Sequence, residues 1–150
     1  MKRIIIYIGV LAAVLMAPVK GSDVGTLKPV EVVLICKEKN DIIIETDTGD
    51  WGKGDDAKAA LQNLKDTTAG HVYLDTAEYL IITEETQEVV EEIRPVLKKS
   101  LQMCYADGKI DLIAAAKFLP VHGKLIRLKD WKTGVELRKL TCIDERLKLS

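Results

Sequence analysis

The fold of this chain is decided by Val30-Glu-Val-Val-Leu-Ile-Cys36, followed by Lys37-Glu-Lys-Asn-Asp41 and then Ile42-Ile-Ile-Glu-Thr46. The first and last parts are rich in β-branched residues, and the polar part between them has the length of a turn. The stretch therefore predicts a β-hairpin. Its first strand is apolar on both faces, because the four consecutive residues Val32–Ile35 are aliphatic. Such a strand is typical of a sheet that other elements cover on both sides.

Downstream of the hairpin, helix and strand patterns alternate. A glycine-rich polar segment predicts a loop over 47–56, and an apolar stripe at i, i+3, i+4 and i+7 from Ala57 to Leu64 predicts a helix. The remaining predicted elements are strands over 71–75, 79–82 and 101–106, helices over 83–95 and 111–119, a hairpin of 124–128 with 136–143, and a short last strand over 147–149. We therefore predict one mixed α/β (α+β) domain over residues 22–150, in which a mixed β-sheet carries three packed helices and a C-terminal β-hairpin.

Residues 1–21 have the layout of an export signal. Two adjacent cations, Lys2 and Arg3, precede the uncharged and mostly aliphatic run Ile4–Ala17, which small residues follow. That run is shorter than the roughly 20 residues of a membrane-spanning helix. We expect a cleaved signal peptide or, as the alternative, an uncleaved hydrophobic anchor helix; a buried cytoplasmic helix is the remaining option. In both leading cases residues 22–150 are extracytoplasmic, either secreted or anchored to the outer face of the cytoplasmic membrane.

The charge balance bears on the class of partner. Residues 22–150 contain 19 basic and 23 acidic side chains, a formal net charge of −4. Nucleic-acid-binding domains normally carry a basic stripe, so no nucleic-acid partner is expected. Only 5% of the residues are aromatic, and the core is therefore expected to be aliphatic.

Three cysteines, Cys36, Cys104 and Cys142, are an odd number for an exported chain, so at most one internal disulfide can form. Each lies in an apolar or alternating run, which favours buried thiols. Their wide separation provides no metal-binding Cys-x-x-Cys pair. Whether any two of them form a disulfide stays open at this point.

Four segments together resemble a known family. They are Gly54-Asp-Asp-Ala-Lys-Ala-Ala-Leu-Gln-Asn-Leu64, His71-Val-Tyr-Leu-Asp-Thr-Ala-Glu-Tyr-Leu-Ile-Ile-Thr-Glu-Glu85, Arg94-Pro95 and Leu101-Gln-Met-Cys-Tyr-Ala-Asp-Gly-Lys109. Over about residues 30–119 the chain resembles the N-terminal domain of the C-subunit of spore germinant receptors in endospore-forming bacteria. Members of that family are lipoproteins, whereas no cysteine lies near residues 17–22 here. The resemblance implies a similar fold and an envelope setting, and it does not carry over the germinant-receptor role.

The Asp/Gly-rich loop 47–56 is the best local candidate for a ligand- or partner-binding site. The candidate residues are Asp47, Asp50, Trp51, Asp55 and His71. Several aspartates among glycines can hold a hard cation, but their spacing is not that of an EF-hand loop, and no Lys-Ser or Lys-Thr pair follows as in a phosphate-binding loop. The alternative is a solvated connection whose final aspartate, Asp55 or Asp56, caps the next helix. An exposed Trp51 would indicate a contact surface, whereas a Trp51 folded over the sheet would cover the core.

The chain contains no motif that specifies a reaction. The two histidines, His71 and His122, are not in a zinc-binding arrangement, and there is no Gly-x-Ser-x-Gly element. We therefore expect no catalytic residue, metal or cofactor, and we favour an exported, non-catalytic interaction or structural module associated with the envelope or the spore. The expected partner is another envelope or membrane protein, with membrane contact only through residues 1–21. The competing hypothesis is a small exported enzyme or ligand-binding domain that uses loop 47–56 with His71.

A basic stretch near the C-terminus allows two interpretations. Lys124, Arg127, Lys129 and Lys132 have the charge to face anionic lipid or a cell-wall polymer. Cations that alternate along a strand also protect an exposed sheet edge from pairing with another chain. The sequence pattern favours edge protection.

Overall fold

The computed structural model of the protein describes residues 27–122 and 124–150. The predicted signal or anchor in residues 1–21 lies outside the described residues. The strands are β1 Leu27–Pro29, β2 Val32–Glu38, β3 Asp41–Thr46, β4 Trp51–Gly54, β5 His71–Tyr73, β6 Tyr79–Ile82, β7 Gln102–Asp107, β8 Ile126–Arg127, β9 Lys139–Ile143 and β10 Arg146–Leu149. The helices are α1 Ala57–Thr67, α2 Gln87–Ile93 and α3 Leu112–Phe118.

Eight of the strands form one mixed sheet in the order β10-β9-β7-β6-β2-β3-β4, with β8 paired to β7 as well. The centre of the sheet is parallel: β2 pairs with β6, β6 with β7, and β7 with β9. The strands β3, β4, β8 and β10 are added in antiparallel pairs. A separate parallel pair joins β1 to β5. The predicted mixed α/β architecture with a mixed sheet and three helices is confirmed.

The predicted N-terminal hairpin is also confirmed. Strands β2 and β3 are antiparallel over their whole length, and Lys39 adopts a φ of +57° in the turn between them. A residue with positive φ is common in two-residue hairpin turns, because the backbone twist of such a turn matches that of the flanking strands. Residues 32–35 of β2 are all buried, as the apolar character of both faces predicted.

Two mainly aliphatic cores lie on the two faces of the sheet, with Trp131 as the largest aromatic member. On one face α1 and α2 bury Leu64 and Ile93 in the same cluster as Ile44 of the sheet. On the opposite face α3 buries Leu112 with Ile81. Full burial of one such side chain is worth about 1.5–3 kcal/mol, so the two covering layers are the main source of stability.

The prediction of a simple loop over 47–56 is wrong in part, because Trp51–Gly54 form the strand β4 against β3. Glycine is depleted in strands, and the glycine-rich pattern therefore indicated a loop. In the structure, two of these glycines allow close contact between β4 and α1. A Cβ atom on Gly52 would lie 2.3 Å from the Ala60 carbonyl oxygen, and one on Gly54 would lie 2.3 Å from the Ala60 nitrogen. Helix α1 thus packs directly on the backbone of β4, a contact that only glycine allows.

Strand β4 lies at one edge of the sheet, and α1 covers its unpaired backbone groups. The side-chain oxygen of Asn63 accepts the N–H of Lys53 at 3.0 Å. The Thr67 hydroxyl lies 3.4 Å from the carbonyl oxygen of Trp51, although its shorter bond, at 2.8 Å, is to the Asn63 carbonyl oxygen. An open edge invites pairing with another chain. These two contacts make pairing at β4 unfavourable.

The predicted hairpin of 124–128 with 136–143 is wrong. Strands β8 and β9 do not pair with each other; both lie along β7, with β8 beside its first half and β9 beside its second half. The connection between them is not a tight turn, because Trp131 and Leu137 are buried in the core on the α1/α2 face. The C-terminal hairpin is formed instead by β9 and β10, and its turn residues Asp144 and Glu145 both have positive φ.

Candidate functional site

The predicted site residues do not line one common cavity. A cleft of about 490 Å³ lies between the end of β3 and the start of α3, and Asp47 is among its lining residues. The other four candidates, Asp50, Trp51, Asp55 and His71, do not line this cleft. The cleft is largely apolar on its α3 side, where Ile110, Leu112 and Ile113 line it.

The carboxylate of Asp47 is engaged by the backbone. Its Oδ1 atom accepts the N–H of Glu31 at 3.0 Å and the N–H of Val32 at 3.1 Å. The bond pair joins the end of β3 to the start of β2. Within the same connection the Thr48 hydroxyl donates to Oδ2 of Asp50 at 2.8 Å. Asp47 therefore holds the end of β3 to the start of β2, and Asp50 stabilises the chain reversal after β3.

We expect Asp47→Ala to lower the free energy of unfolding by about 1–2 kcal/mol, because two backbone N–H groups lose a charged acceptor. Urea unfolding followed by circular dichroism measures this difference. Asp55→Ala is the matched control, since Asp55 is exposed and makes no hydrogen bond in the described part of the chain. Equal stability of the two variants would contradict the assigned role of Asp47.

The remaining polar candidates are separate from one another. Asp56, not Asp55, caps α1, because its Oδ1 accepts the N–H of Ala59 at 2.7 Å. His71 is exposed in β5, and its ring lies edge-on to that of Tyr73 with 6.3 Å between centroids. Among the residues that the structure describes, no group of three or more His, Cys, Asp or Glu side chains is placed to hold a metal ion. The use of the loop together with His71 as a ligand site stays a prediction.

Trp51 is the apolar candidate, and the structure leaves its large side chain exposed. Its side chain is 57% exposed. Because Gly52 and Gly54 face α1, Trp51 projects from the opposite face of β4, the face on which α3 lies. Its cross-strand partner Glu45 lines the cleft, as does Ile113, which is 59% exposed. We call Trp51, Glu45 and Ile113 the tryptophan surface.

The three cysteines are free thiols in different environments. Cys104 is buried in the sheet, and its desolvation raises the pKa of the thiol to about 12. Cys36 is half-buried, and its pKa is raised by burial first and then by the nearby charges of Glu45 and Glu38. Cys142 is exposed beside the cleft, contrary to the interpretation of all three as buried thiols.

These environments predict an order of reactivity toward a thiol reagent. The thiolate is the reacting form, and a pKa of about 12 lowers the thiolate fraction of Cys104 about a thousandfold at pH 8 relative to an ordinary thiol. We expect Cys142 to react first, Cys36 more slowly and Cys104 only after unfolding, as followed by mass spectrometry. Fast native-state labelling of Cys142→Ser at Cys104 would contradict this order.

A second cleft, of about 450 Å³, was not predicted from the sequence. It lies between the segment after α2 and the turn after β8. Beside it, the Arg94 guanidinium donates to the carbonyl oxygens of Leu128 and Trp131 and lies 5.7 Å from the centre of the Trp131 ring. The signal that the sequence offers is Trp131, a large apolar side chain three positions after Leu128. It indicates a cleft only when α2 is known to lie alongside.

No protein-family model matches the chain, and searches of curated proteins and of solved structures find no similar protein. The resemblance to the germinant-receptor C-subunit therefore stays a prediction. Within the described ranges, no helix combines the length and apolar character needed to cross a membrane.

Proposed function

We propose that the protein is an exported, non-catalytic interaction or structural module of the cell envelope or the spore. The observation that carries this proposal is the layout of residues 1–21, with two cations before a short apolar run and small residues after it. The resemblance to the N-terminal domain of the germinant-receptor C-subunit supports the same setting.

The site geometry supports binding over catalysis. The Asp47 carboxylate accepts two backbone N–H groups, and the cleft it lines does not include His71. The tryptophan surface, by contrast, combines a large exposed aromatic ring with an exposed aliphatic side chain beside a mostly apolar cleft. Exposed tryptophans of this kind are typical of the residues that dominate protein–protein interfaces. We therefore assign the tryptophan surface to contact with another envelope or membrane protein.

Export is tested by fractionating the host and sequencing the N-terminus of the recovered protein. We expect the protein outside the cytoplasm, either starting near Ser22 in soluble form or retaining Met1 in the membrane fraction. A cytosolic protein that retains residues 1–21 would overturn the proposal.

The contact surface is tested by placing a photo-crosslinking amino acid at position 51 in intact cells. We expect cross-links to an envelope or membrane protein from position 51. A matched probe at position 135, whose valine is also partly exposed, should give none. Equal cross-linking from both positions would contradict the assignment. A hydrolase activity that is abolished by His71→Ala would favour the competing enzyme hypothesis instead.

A further inference from the structure

The second cleft combines an apolar floor with a cationic rim. Pro95, Leu97 and Leu128 provide apolar lining, and Arg94, Lys99 and Lys129 provide the charged lining. Among the residues that the structure describes, no acidic one lines this cleft. This composition suits a ligand that is anionic at its surface and apolar beneath.

The cations beside this cleft are held together by the backbone. The N–H of Lys129 donates to the carbonyl oxygen of Lys99 at 3.1 Å. The N–H groups of Asp130 and Trp131 both donate to the carbonyl oxygen of Arg127, which closes a tight turn. Lys99, Arg127 and Lys129 therefore lie on two connected segments, and we call these three residues the basic end.

The charge of the basic end is not neutralised within the described part of the chain. Lys99, Arg127 and Lys129 are exposed, and the ion pairs formed there do not involve them. The neighbouring cations differ, because Arg94 is paired with Glu91 and Lys98 with Glu78. Segments 94–99 and 124–132 together contain seven basic residues and one acidic residue, in a chain whose residues 22–150 carry a net charge of −4.

The basic end lies at the same end of the sheet as the start of β2, the first strand of that sheet along the chain. The carbonyl oxygen of Glu31 accepts from Tyr79, that of Glu78 accepts from Gln102, and that of Leu101 accepts from Leu128. These bonds connect the starts of β2, β6 and β7 with the end of β8, all at one end of the sheet. Neighbouring strands are about 4.8 Å apart, which places Leu128 about 15 Å from Glu31.

We propose that the basic end binds anionic lipid headgroups on the outer face of the membrane. The inference rests on the proposed export with residues 1–21 retained as an anchor. Only residues 22–26 separate that segment from β1, and five residues span at most about 18 Å when fully extended. An anchor at residues 1–21 would therefore lie within about 18 Å of β1, and β2 enters the sheet three residues after β1 ends.

Lipid is favoured over a soluble anionic polymer by two observations. The short connection keeps the basic end within reach of the bilayer, and headgroup charge attracts it once it comes within about 10 Å. The cleft also offers an apolar floor beneath its lysines, which suits the boundary between headgroups and acyl chains. A cell-wall polymer would need the charge alone.

The test measures the reactivity of individual lysines toward an amine-acylating reagent by mass spectrometry. The full chain is reconstituted in vesicles of phosphatidylcholine, with or without about 30% phosphatidylglycerol. We expect Lys99 and Lys129 to become at least about threefold less reactive in the anionic vesicles, and about 0.5 M NaCl to reverse this protection. The internal controls are Lys39 and Lys109, which come just after the C-terminal ends of β2 and β7, at the end of the sheet away from the basic end. Their reactivity should be the same in both vesicle types.

Three results would overturn the inference. The first is equal reactivity of Lys99 and Lys129 in neutral and anionic vesicles. The second is protection that appears only when purified cell-wall polymer is added. The third is release of the chain from vesicles at high salt, which would also contradict anchoring by residues 1–21. A chain that stays embedded at high salt without lysine protection would overturn only the inference and leave the proposed export intact.

Charge variants provide a second readout. We expect the triple variant Lys99→Gln, Arg127→Gln and Lys129→Gln to abolish the salt-dependent difference between the two vesicle types, now read from the acylation of Lys132 in the variant and in the wild type. A triple control variant at the opposite end, Lys37→Gln, Lys39→Gln and Lys109→Gln, should retain it. Loss of the difference in both variants would contradict a specific role of the basic end.

Discussion

Replacing Gly52 by alanine is expected to lower the free energy of unfolding by about 3 kcal/mol. The added methyl carbon would lie 2.3 Å from the Ala60 carbonyl oxygen and 2.4 Å from the Leu64 nitrogen. Both are backbone atoms of α1, so no side-chain rotation relieves the overlap, and the helix itself must move away from β4. Its displacement would also loosen the packing of Leu64 in the core. Chemical unfolding followed by circular dichroism measures the loss.

The matched control is Lys53→Ala, which places the same residue type in the same strand on the face away from α1. Lys53 is exposed, and its ammonium group pairs with Asp41 at the surface. We expect the control to unfold close to the wild type. If Gly52→Ala were as stable as Lys53→Ala, the direct packing of α1 on the backbone of β4 would be contradicted.

Replacing Trp131 by alanine is expected to cost about 4 kcal/mol of stability, because it removes a large side chain that is 1% exposed. The indole ring fills the core beside α2, its N–H donates to the Val135 carbonyl oxygen at 3.3 Å, and Arg94 lies over its face. All three interactions would be lost together. The remaining cavity would also free the 128–138 connection from the sheet.

Trp51→Ala provides the control, since Trp131 and Trp51 are the two tryptophans of the chain and Trp51 is mostly exposed. We expect its stability to stay within about 1 kcal/mol of the wild type, as for most surface substitutions. Tryptophan fluorescence separates the two residues, with blue-shifted emission from Trp131 and red-shifted emission from Trp51. Comparable destabilisation by both substitutions would show that Trp131 is not the core residue described above.

The elements that could be predicted from the sequence are those whose signal is local. The hairpin of β2 and β3 was clear because two β-branched runs flank a five-residue polar segment. The start of α3 could be read from Asp111, whose Oδ1 accepts the N–H groups of Ile113 and Ala114. Strand β4 was missed for the opposite reason. Its glycines are unfavourable for a strand in isolation, and their advantage exists only when α1 lies against them.

The candidate site shows the same division. The sequence indicated Asp47 as a candidate ligand-binding residue, because the carboxylate oxygens of aspartates among glycines can bind a hard cation. It could not reveal that the backbone N–H groups of Glu31 and Val32, fifteen and more residues away, use that carboxylate. The second cleft could not be predicted for a similar reason. Lys99 and Lys129 are brought together by a backbone hydrogen bond between segments that are distant in sequence.

By itself, the sequence determined the mixed α/β class, the central hairpin and the amphipathic helices, because hydrophobic periodicity and end-capping residues act within a few positions along the chain. It also supplied the export pattern on which the proposed function rests. Only the tertiary structure decided which strands pair at the C-terminus, where α1 contacts β4 and which tryptophan is buried. Those outcomes depend on close packing between segments that are distant in sequence, and such packing leaves no periodic pattern in either segment alone.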